Sequence, residues 1–322
     1  MEVNTLEEKI LDLLNKNLMS VSQVARALGI RKDVAAAHLE ALRQKGKLEL
    51  FVVGKSNVYT VPRSFFEVRK KRTRAIGIVS GKGGVGKTVV TINLSAALMN
   101  FGKKVIAVDA DIKMSGLGLQ LGMYYFPTTL NDVIKENANV LSALYIHPTG
   151  LRIIPASLSL DPIENLDLSK ILNSEYFENC LFLVDSPPGL EKNTYQILNS
   201  CDEVIFVTLP EIPAVADIIK IMEACKETRA KPLGIIVNRY NKKDKSQVRP
   251  EEIESACNLQ VLGTIPEDKT IRKSIFERVP AVFLNPYSSS SIAFKKIAAK
   301  ILGFNYSPPP FYWIKRFLRL GK

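Results

Sequence analysis

Residues 81–88 read GKGGVGKT, and this glycine-rich stretch decides the fold. The apolar run AIGIV at 75–79 precedes it, and VVTINLSAALMNF at 89–101 follows with apolar side chains at helical spacing. A strand, a glycine-rich turn and a helix N-terminus cradle phosphates, because glycines let backbone N–H groups approach and the helix adds positive potential. We therefore predict a nucleoside triphosphate site, with Lys87 at the β- and γ-phosphates and Thr88 on Mg²⁺. All eight residues are expected to line it: Gly81, Lys82, Gly83, Gly84, Val85, Gly86, Lys87 and Thr88.

A second lysine, Lys82, follows the first glycine, where an ordinary phosphate-binding loop does not need one. Three further stretches are VIAVDADIKMSGLGLQLG at 105–122, LFLVDSPPGLE at 181–191 and GIIVNRY at 234–240. Together with the loop they resemble the MinD/ParA family of deviant-Walker ATPases, and its MinD branch above all, over about residues 75–303. The resemblance implies an ATP-sandwiched homodimer, in which Lys82 reaches the partner subunit's nucleotide, and an activating partner protein.

Two predicted strands, 104–109 and 181–185, end on aspartates. Open α/β sheets bind ligands at the carboxyl ends of their strands, so we expect both carboxylates at the nucleotide. The resemblance implies that Asp185 is the Walker B carboxylate, that Asp109 faces the Mg²⁺ ion, and that Asp111 helps to position the attacking water. The predicted catalytic residues are Lys82, Lys87, Asp111 and Asp185. The predicted metal site consists of Thr88, Asp109 and Asp185.

The resemblance also implies roles for a switch loop, for the segment after Asp111 and for residues that contact adenine. The switch loop SPPG at 186–189 is expected to sense the γ-phosphate. Family members usually carry Asn in the segment after Asp111, where this chain has Gly116, and this departure bears on one dimer-dependent phosphate contact and on the hydrolysis rate. The implied adenine contacts, which favour ATP over GTP, are Asn238, Arg239, Pro266 and Glu267.

Length and composition are those of a multidomain protein. The chain has 322 residues, 46% of them hydrophobic, and its apolar runs fall short of the ~18 residues of a spanning helix. The first residues, MEVNTLEEK, lack a secretory apolar region, and the four cysteines form no C-x-x-C pair. We therefore expect a reduced cytoplasmic chain. Its peripheral association with the cytoplasmic face of the membrane is expected from the C-terminal stretch described below.

The net charge of +12 is unevenly distributed. Residues 1–74 hold 15 Lys/Arg against 8 Asp/Glu, residues 75–310 hold 25 against 24, and residues 311–322 hold four against none. The body is nearly neutral and both ends are basic, so each end is a candidate for a polyanionic partner, either nucleic acid or a lipid surface.

The first 62 residues predict three helices and a hairpin. Residues 5–15 and 21–28 have helical patterns, and Ser20 with Gln23 predicts a capping box. A third helix, capped by Asp33, would turn Val34, Ala37, Leu39 and Leu42 to the core, and strands 48–53 and 58–61 would flank a turn at 54–57. This order resembles a winged helix-turn-helix domain.

Such a domain binds either DNA or protein. In winged-helix domains that bind DNA, the third helix enters the major groove and the wing touches phosphates. By this resemblance, five residues are the DNA-binding candidates: Arg31, Lys32, His38, Arg43 and Lys55. The third helix carries Ala35, Ala36 and Ala37 rather than base-reading side chains, so a regulatory protein partner is the alternative.

The C-terminal stretch FYWIKRFLRLGK predicts an amphipathic helix at the surface of an anionic membrane. Its basic residues fall within one arc and its apolar residues occupy the opposite half of the helix. The predicted membrane-binding residues are Phe311, Trp313, Ile314, Lys315, Arg316, Phe317, Leu318, Arg319 and Leu320. Docking of this helix on the protein itself or on a partner is the alternative.

The whole chain thus predicts an α/β fold with a doubly wound, mainly parallel sheet, preceded by a small winged-helix domain. The expected segments are the winged helix-turn-helix domain at 1–62, a basic linker at 63–74, the ATPase domain at 75–303, a Pro-rich spacer at 304–310 and the amphipathic tail at 311–322. Two functions remain: a membrane-cycling ATPase switch of MinD type, for cell division or spatial organisation, and a ParA-like or regulatory DNA-binding ATPase.

Overall fold

The computed structural model describes residues 5–14, 19–53, 56–60, 73–158, 163 and 165–310. The chain divides into two compact units, Met1–Lys71 and Arg72–Lys322. Each unit has a hydrophobic core of its own.

The N-terminal unit packs three helices against a small antiparallel sheet. Its elements are α1 (Leu6–Leu14), β1 (Met19–Ser20), α2 (Val21–Leu28), α3 (Lys32–Gln44), β2 (Glu49–Val53) and β3 (Ser56–Thr60). The strands lie in the order β1-β3-β2. Leu14, Leu39 and Leu42 are fully buried in the core between the helices. Three helices and a hairpin were expected from the sequence, and the winged helix-turn-helix assignment stays a prediction.

The ends of α2 match the sequence prediction. The backbone N–H of Ser20 donates to Gln23 Oε1 at 2.8 Å, and the N–H of Gln23 donates to Ser20 Oγ at 3.4 Å, which together form the predicted capping box. Gly29 ends the helix with a φ of 64°, a left-handed conformation that glycine adopts without strain.

Two details of α3 differ from the prediction. Asp33 does not cap the helix, because its carboxylate accepts two hydrogen bonds from the guanidinium of Arg31, at 2.7 and 3.1 Å. Val34 and Ala37 were predicted to face the core, but Val34 is 37% exposed and Ala37 is exposed. Ala35, next to Val34, is buried in the core instead, so this part of the predicted core face was wrong.

The hairpin is also tighter than predicted. Val53 pairs directly with Ser56, so the predicted turn at 54–57 was too long. The two residues between these strands lie outside the described residues.

The second unit is an α/β sandwich around an eight-stranded sheet. Its strands are β4 (Arg74–Val79), β5 (Lys104–Asp109), β6 (Tyr145–Ile146), β7 (Arg152–Ile154), β8 (Cys180–Asp185), β9 (Glu203–Thr208), β10 (Lys231–Tyr240) and β11 (Val261–Pro266). They lie in the order β11-β10-β9-β4-β8-β5-β7-β6, and every pair is parallel except β6 with β7. The predicted mainly parallel, doubly wound sheet is confirmed.

Helices cover both faces of the sheet. They are α4 (Lys87–Asn100), α5 (Leu117–Gln120), α6 (Leu130–Ile134), α7 (Ser169–Leu172), α8 (Lys192–Ser200), α9 (Ile212–Cys225), α10 (Pro250–Cys257), α11 (Lys269–Phe276), α12 (Ala281–Leu284) and α13 (Ser289–Ile301). Leu94 of α4 and Phe294 of α13 are fully buried in the core on one face, and Ile197 of α8 and Ile218 of α9 belong to the core on the other.

The predicted linker 63–74 extends too far. Arg74 is the first residue of β4, and its guanidinium pairs with Glu203 and donates to the carbonyl oxygen of Ile301 at 3.3 Å. The hydroxyl of Thr73 donates to the carbonyl oxygen of Leu172. Thr73 and Arg74 therefore belong to the second unit, and residues 61–72 lie outside the described residues.

Side chains cover the start of one edge of the sheet. The N–H of Val261, at the start of the edge strand β11, donates to Glu254 Oε1 at 2.6 Å, and Lys300 Nζ donates to the Val261 carbonyl at 3.0 Å. The strand ends at Pro266, which has no N–H to offer. The opposite edge strand, β6, is two residues long.

After α13 the chain packs against the end of α4. The rings of Phe304 and Tyr306 lie 5.1 and 5.6 Å from the ring of Phe101. The predicted tail, 311–322, lies outside the described residues. None of the described helices combines the length and the apolarity needed to cross a bilayer.

Candidate functional site

The loop between β4 and α4 forms an open concave cradle. Gly84 and Gly86 have φ values of 79° and 92°, which favour glycine, and Gly86 is the N-cap of α4. A Cβ atom added to Gly83 or Gly84 would meet no atom within 4 Å. Bare backbone beside open space at a helix N-terminus is the environment that a phosphate group needs, so the loop fits the predicted nucleotide.

Asn238 braces this loop from β10. Its side-chain amide donates to the Val85 carbonyl at 2.7 Å, and a Cβ on Gly86 would lie only 2.5 Å from the same amide nitrogen. Its side-chain oxygen accepts from the N–H of Arg239 at 3.0 Å. Asn238 thus fixes the loop against the sheet, and its predicted hydrogen bond to adenine stays a prediction.

Asp185 lies in the floor of the cradle at the end of β8. One of its oxygens accepts the Thr88 hydroxyl at 2.6 Å, and the other accepts the Thr91 hydroxyl at 3.1 Å. Burial raises the pKa of Asp185 to about 6, although the nearby Lys87 ammonium and the two hydroxyls favour the charged form. Lys87, only 8% exposed, therefore lies close enough to Asp185 to influence its charge.

Asp109 is fully buried at the end of β5, on the strand next to Asp185. Its Oδ2 accepts three hydrogen bonds, from Ser115 Oγ at 2.9 Å, the Gly116 N–H at 3.1 Å and the Leu117 N–H at 3.0 Å. Burial and the neighbouring Asp185 raise the pKa of Asp109 to about 7. The carboxylate holds the start of α5 in addition to its predicted role at the metal.

These groups suit a Mg²⁺ ion. Thr88, Asp109 and Asp185 would offer only oxygen donors, and Mg²⁺ prefers one or two carboxylates together with phosphate oxygens. Both buried carboxylates have raised pKa values, because burial disfavours their charged forms. A divalent cation would relieve this cost, so the three residues are the ones that would hold it.

Hydrogen bonds and an ion pair join the cradle to the segment after β5 and to the predicted switch loop after β8. The N–H of Asp111 donates to Asp109 Oδ1 at 3.3 Å, and Asp111 Oδ1 accepts from the N–H of Met114 at 3.1 Å. Lys113 forms a 2.6 Å ion pair with Glu191, which links the segment after β5 to the loop after β8. The N–H of Gly189 in that loop donates to the Ser80 carbonyl at 2.9 Å.

Lys82 lies apart from the other loop lysine. Its Nζ forms a 3.1 Å ion pair with Glu211, the N-cap residue of α9, and both side chains are more than a third exposed. α9 also packs closely on the loop, because a Cβ on Gly81 would lie 2.3 Å from Cβ of Asp217. The buried Lys87 and the exposed Lys82 thus face different surroundings.

A cleft of about 170 Å³ adjoins the start of α4. The four residues predicted to contact adenine all line it, and Glu267 lies 3.8 Å from both Arg239 and Arg272. Helices α11 and α13 supply apolar walls of the cleft. Three of their residues line it and were not predicted from the sequence: Ile271, Ile275 and Phe294. The four-residue spacing of the two isoleucines, shortly after the predicted contacts Pro266 and Glu267, was the available signal.

Three polar residues were also missed: Thr91, Ser115 and Glu211. Thr91 lies one helical turn after Lys87, a spacing that could have suggested it. Ser115 and Glu211 act through contacts across the fold, for which the sequence holds no local signal.

The predicted DNA-binding residues lie on the N-terminal unit. Arg31, Lys32 and Arg43 are exposed and His38 is half-buried. Arg31 pairs with Asp33 at 2.7 Å, and Arg43 pairs with Glu40 at 2.6 Å, so two of the cations have acidic neighbours. Lys55 and the predicted membrane-binding residues of the tail lie outside the described residues.

Comparison with known proteins gives a consistent result. Residues 76–281 match the CobQ/CobB/MinD/ParA nucleotide binding domain. An uncharacterised ATP-binding protein of Methanocaldococcus jannaschii is 37% identical over 235 residues, which cover 72% of this chain and 89% of that protein. The septum site-determining protein MinD of Pyrococcus horikoshii, solved with Mg-ADP, is 36% identical with a TM-score of 0.65, covering 71% of this chain and 96% of that one. A MinC:MinD cell division protein complex of Aquifex aeolicus contains a chain that is 28% identical with a TM-score of 0.63. The match covers 74% of this chain and 98% of that one.

Proposed function

Because the chain belongs to the CobQ/CobB/MinD/ParA nucleotide-binding family, we propose that it is a Mg²⁺-dependent ATPase switch of the MinD type. It pairs with a second copy around ATP, hydrolyses ATP slowly without an activating partner, and cycles on and off the cytoplasmic face of the membrane. In the paired state it positions or recruits other machinery, in cell division or spatial organisation. The similarity to a MinD solved in complex with MinC supports such a role.

The observation that carries this proposal is the division between the two loop lysines. Lys87 is buried beside Asp185, where it would bind the phosphates of its own subunit's nucleotide. Lys82 is held at the surface by Glu211, 129 residues further along the chain. An exposed ion pair is worth about 1 kcal/mol or less, so ATP on a second copy can compete for Lys82 with Glu211.

The remaining residues of the site have separate roles. Asp111 would orient the attacking water. Thr88, Asp109 and Asp185 would hold a Mg²⁺ ion, which would supply charge neutralisation at the phosphates. The cleft beside Asn238 takes the adenine. Gly116 has no side chain to offer the partner's nucleotide, which favours slow hydrolysis.

Membrane cycling rests on the sequence of the tail, residues 311–322. One interfacial helix of this size binds anionic lipid only marginally, because partial burial of its apolar side chains is offset by the cost of ordering about ten residues. Two tails on one dimer make the second insertion intramolecular, which raises avidity by about 10²–10⁴. Dimerisation on ATP would therefore switch membrane binding on.

The proposed domain organisation follows the prediction, with the start of the ATPase domain moved. A winged-helix domain occupies residues 1–62, the ATPase domain begins at Thr73, and the spacer 304–310 leads to the tail. The alternative function, a DNA-binding ATPase acting through the winged helix, has less support. Residues 1–62 hold nine Lys/Arg against seven Asp/Glu, so this part of the chain is nearly neutral.

Size-exclusion chromatography with Mg²⁺ and either ATP or ADP tests the dimer. Asp111→Ala should stay dimeric in ATP, because the nucleotide is bound but not hydrolysed. Lys82→Ala should bind ATP without hydrolysing it, and Lys87→Ala should lose nucleotide affinity. Lys103→Ala, which removes an exposed cation at the opposite end of β5 from Asp109, serves as the control for general damage. An Asp111→Ala protein that stays monomeric in ATP would contradict the proposal.

A further inference from the structure

The buried hydroxyl of Thr91 contacts both the start of α4 and the carboxylate of Asp185. Thr91 lies in α4, four residues after Lys87, and none of its surface is exposed. Its Oγ1 lies 3.1 Å from Asp185 Oδ1 and also 3.1 Å from the carbonyl oxygen of Lys87. One side chain thus joins the lysine that would bind phosphate to the carboxylate that would hold the metal ion.

Packing alone does not explain a threonine at this position. Threonine loses side-chain freedom in a helix interior, and a buried hydroxyl is costly unless it is hydrogen-bonded. Other buried residues of α4, among them Val90, Leu94 and Leu98, are apolar and belong to the core. Valine has nearly the shape of threonine and would fill the same space without a polar atom. The hydroxyl is therefore explained by its two oxygen partners rather than by the core.

The Thr91 hydroxyl has one proton, so it donates to only one of these acceptors at a time. A threonine in a helix commonly donates to the carbonyl oxygen four residues earlier, which here is that of Lys87. Hydrogen bonds to an ionised acceptor are about twice as strong as those between neutral groups. Beside a divalent cation Asp185 would be ionised, and its Oδ1 is then the better acceptor.

Asp185 is thereby held through both of its oxygens. Thr88 donates to Oδ2 at 2.6 Å, and Thr91 donates to Oδ1. The torsion that turns a carboxylate about its Cβ–Cγ bond is broad, so two donors on different oxygens restrict it. Without Thr91, this rotation would depend on Thr88, which is itself a predicted metal ligand.

We propose that Thr91 is a positioning residue of the metal site, whose hydroxyl fixes the rotation of the Asp185 carboxylate so that Asp185 and Thr88 offer their oxygens to Mg²⁺ together. The proposal rests on the proposed Mg²⁺-dependent ATPase and adds a residue that touches neither the metal ion nor the nucleotide. Groups that orient metal ligands in this way typically contribute 10–100-fold to metal affinity.

Three variants of the full chain separate this role from a structural one. Thr91→Val keeps the shape of the side chain and removes the hydroxyl, whereas Thr91→Ser keeps the hydroxyl and removes the methyl group. Ser95→Ala is the matched control, because Ser95 lies one turn later in α4 and its buried hydroxyl has no hydrogen-bond partner among the described residues. If the valine variant does not fold, Thr91→Ala replaces it and differs from Thr91→Ser by a single hydroxyl.

The measurement is the affinity for a fluorescent ATP analogue, first in EDTA and then at increasing concentrations of Mg²⁺. The affinity in EDTA reports on the phosphate-binding loop without the metal ion. The titration gives the Mg²⁺ concentration that produces half of the gain in affinity. Thermal melting of each nucleotide-free variant reports any general loss of stability.

We expect Thr91→Val to require about 10–100 times more Mg²⁺ than wild type, with an unchanged affinity in EDTA. Thr91→Ser should restore the wild-type Mg²⁺ dependence, and Ser95→Ala should behave like wild type throughout. Equal Mg²⁺ dependence of Thr91→Val and wild type would overturn the proposal. So would an equal loss in Thr91→Ser, because the methyl group rather than the hydroxyl would then be responsible.

The wild-type protein tests the proposed function separately. If Mg²⁺ strengthens its binding of the ATP analogue, the metal-dependent site stands whatever the variants do. If its affinity is the same in EDTA and in Mg²⁺, the proposed Mg²⁺ dependence and the role of Thr91 are both refuted. A loss of affinity in Thr91→Val that is equal in EDTA and in Mg²⁺ would assign the hydroxyl to the Lys87 carbonyl and overturn the positioning role alone.

Discussion

Replacing Asp109 by Asn should stabilise the protein at high pH when Mg²⁺ and nucleotide are absent. The pKa of Asp109 is raised from 3.8 to about 7 in the folded protein, so the folded state binds this proton more tightly than the unfolded state does. The stabilisation that this proton provides is complete below about pH 4, decreases progressively as the pH rises, and is lost above about pH 7. Asn carries no charge at any pH and avoids the loss.

The magnitude follows from the shift. About three pKa units at roughly 1.4 kcal/mol each give an upper limit of about 4 kcal/mol at pH 8. The Asn oxygen can accept the three hydrogen bonds now made to Oδ2, but its amide nitrogen would face the N–H of Asp111, at a cost of about 1 kcal/mol or more. We therefore expect a net gain of about 2–3 kcal/mol at pH 8 and of about 1 kcal/mol or less at pH 5, which is only about one unit above the unfolded pKa.

Urea unfolding followed by circular dichroism, in EDTA at pH 5 and pH 8, measures this difference. Asp244→Asn is a matched control, because Asp244 is exposed and hydrogen bonds from Ser246 lower its pKa. That variant should gain nothing at pH 8. If Asp109→Asn and wild type show parallel pH profiles, the reasoning from burial is refuted.

Three further predictions concern other parts of the molecule. Gly86→Ala should lose binding of a fluorescent ATP analogue and should melt at a lower temperature than wild type. The reason is that the new Cβ would lie 2.5 Å from Asn238 Nδ2, at a backbone φ of 92° that favours glycine. Gly83→Ala is the control and should melt like wild type, because its Cβ would meet nothing within 4 Å. All four cysteines are buried with raised pKa values, so Ellman's reagent should label them only after denaturation, and rapid labelling of the native protein would contradict this. Trp313 is the chain's single tryptophan, and its emission should shift to the blue on anionic vesicles with ATP and much less with ADP; a spectrum indifferent to lipid in both states would mean that the tail docks on protein.

The parts of the fold that follow from short-range pattern could be predicted from the sequence. The strand 104–109 was predicted with its observed bounds, because a run of apolar residues identifies it. The phosphate-binding loop was recognisable because its glycines, its lysine and the flanking strand and helix are consecutive. Both aspartates could be assigned to the site because parallel strands end at a common edge.

Long-range contacts could not be predicted in this way. α3 contains three consecutive alanines, which offer little hydrophobic contrast, and its core face was displaced by one position there. The pair of Lys82 with Glu211 and the packing of Phe304 on Phe101 join residues far apart in the chain. Asn238 looked like a base-binding residue, and only the folded chain brings its amide to the Val85 carbonyl.

The covered start of the edge strand β11 also bears on solubility. Where a protein reaches a high local concentration, unpaired strand edges of neighbouring molecules can hydrogen-bond into fibrous aggregates. Here Glu254 and Lys300 occupy the outward N–H and carbonyl of Val261, and Pro266 offers no donor beyond them. Neighbouring copies are thereby discouraged from joining their sheets at the start of this strand.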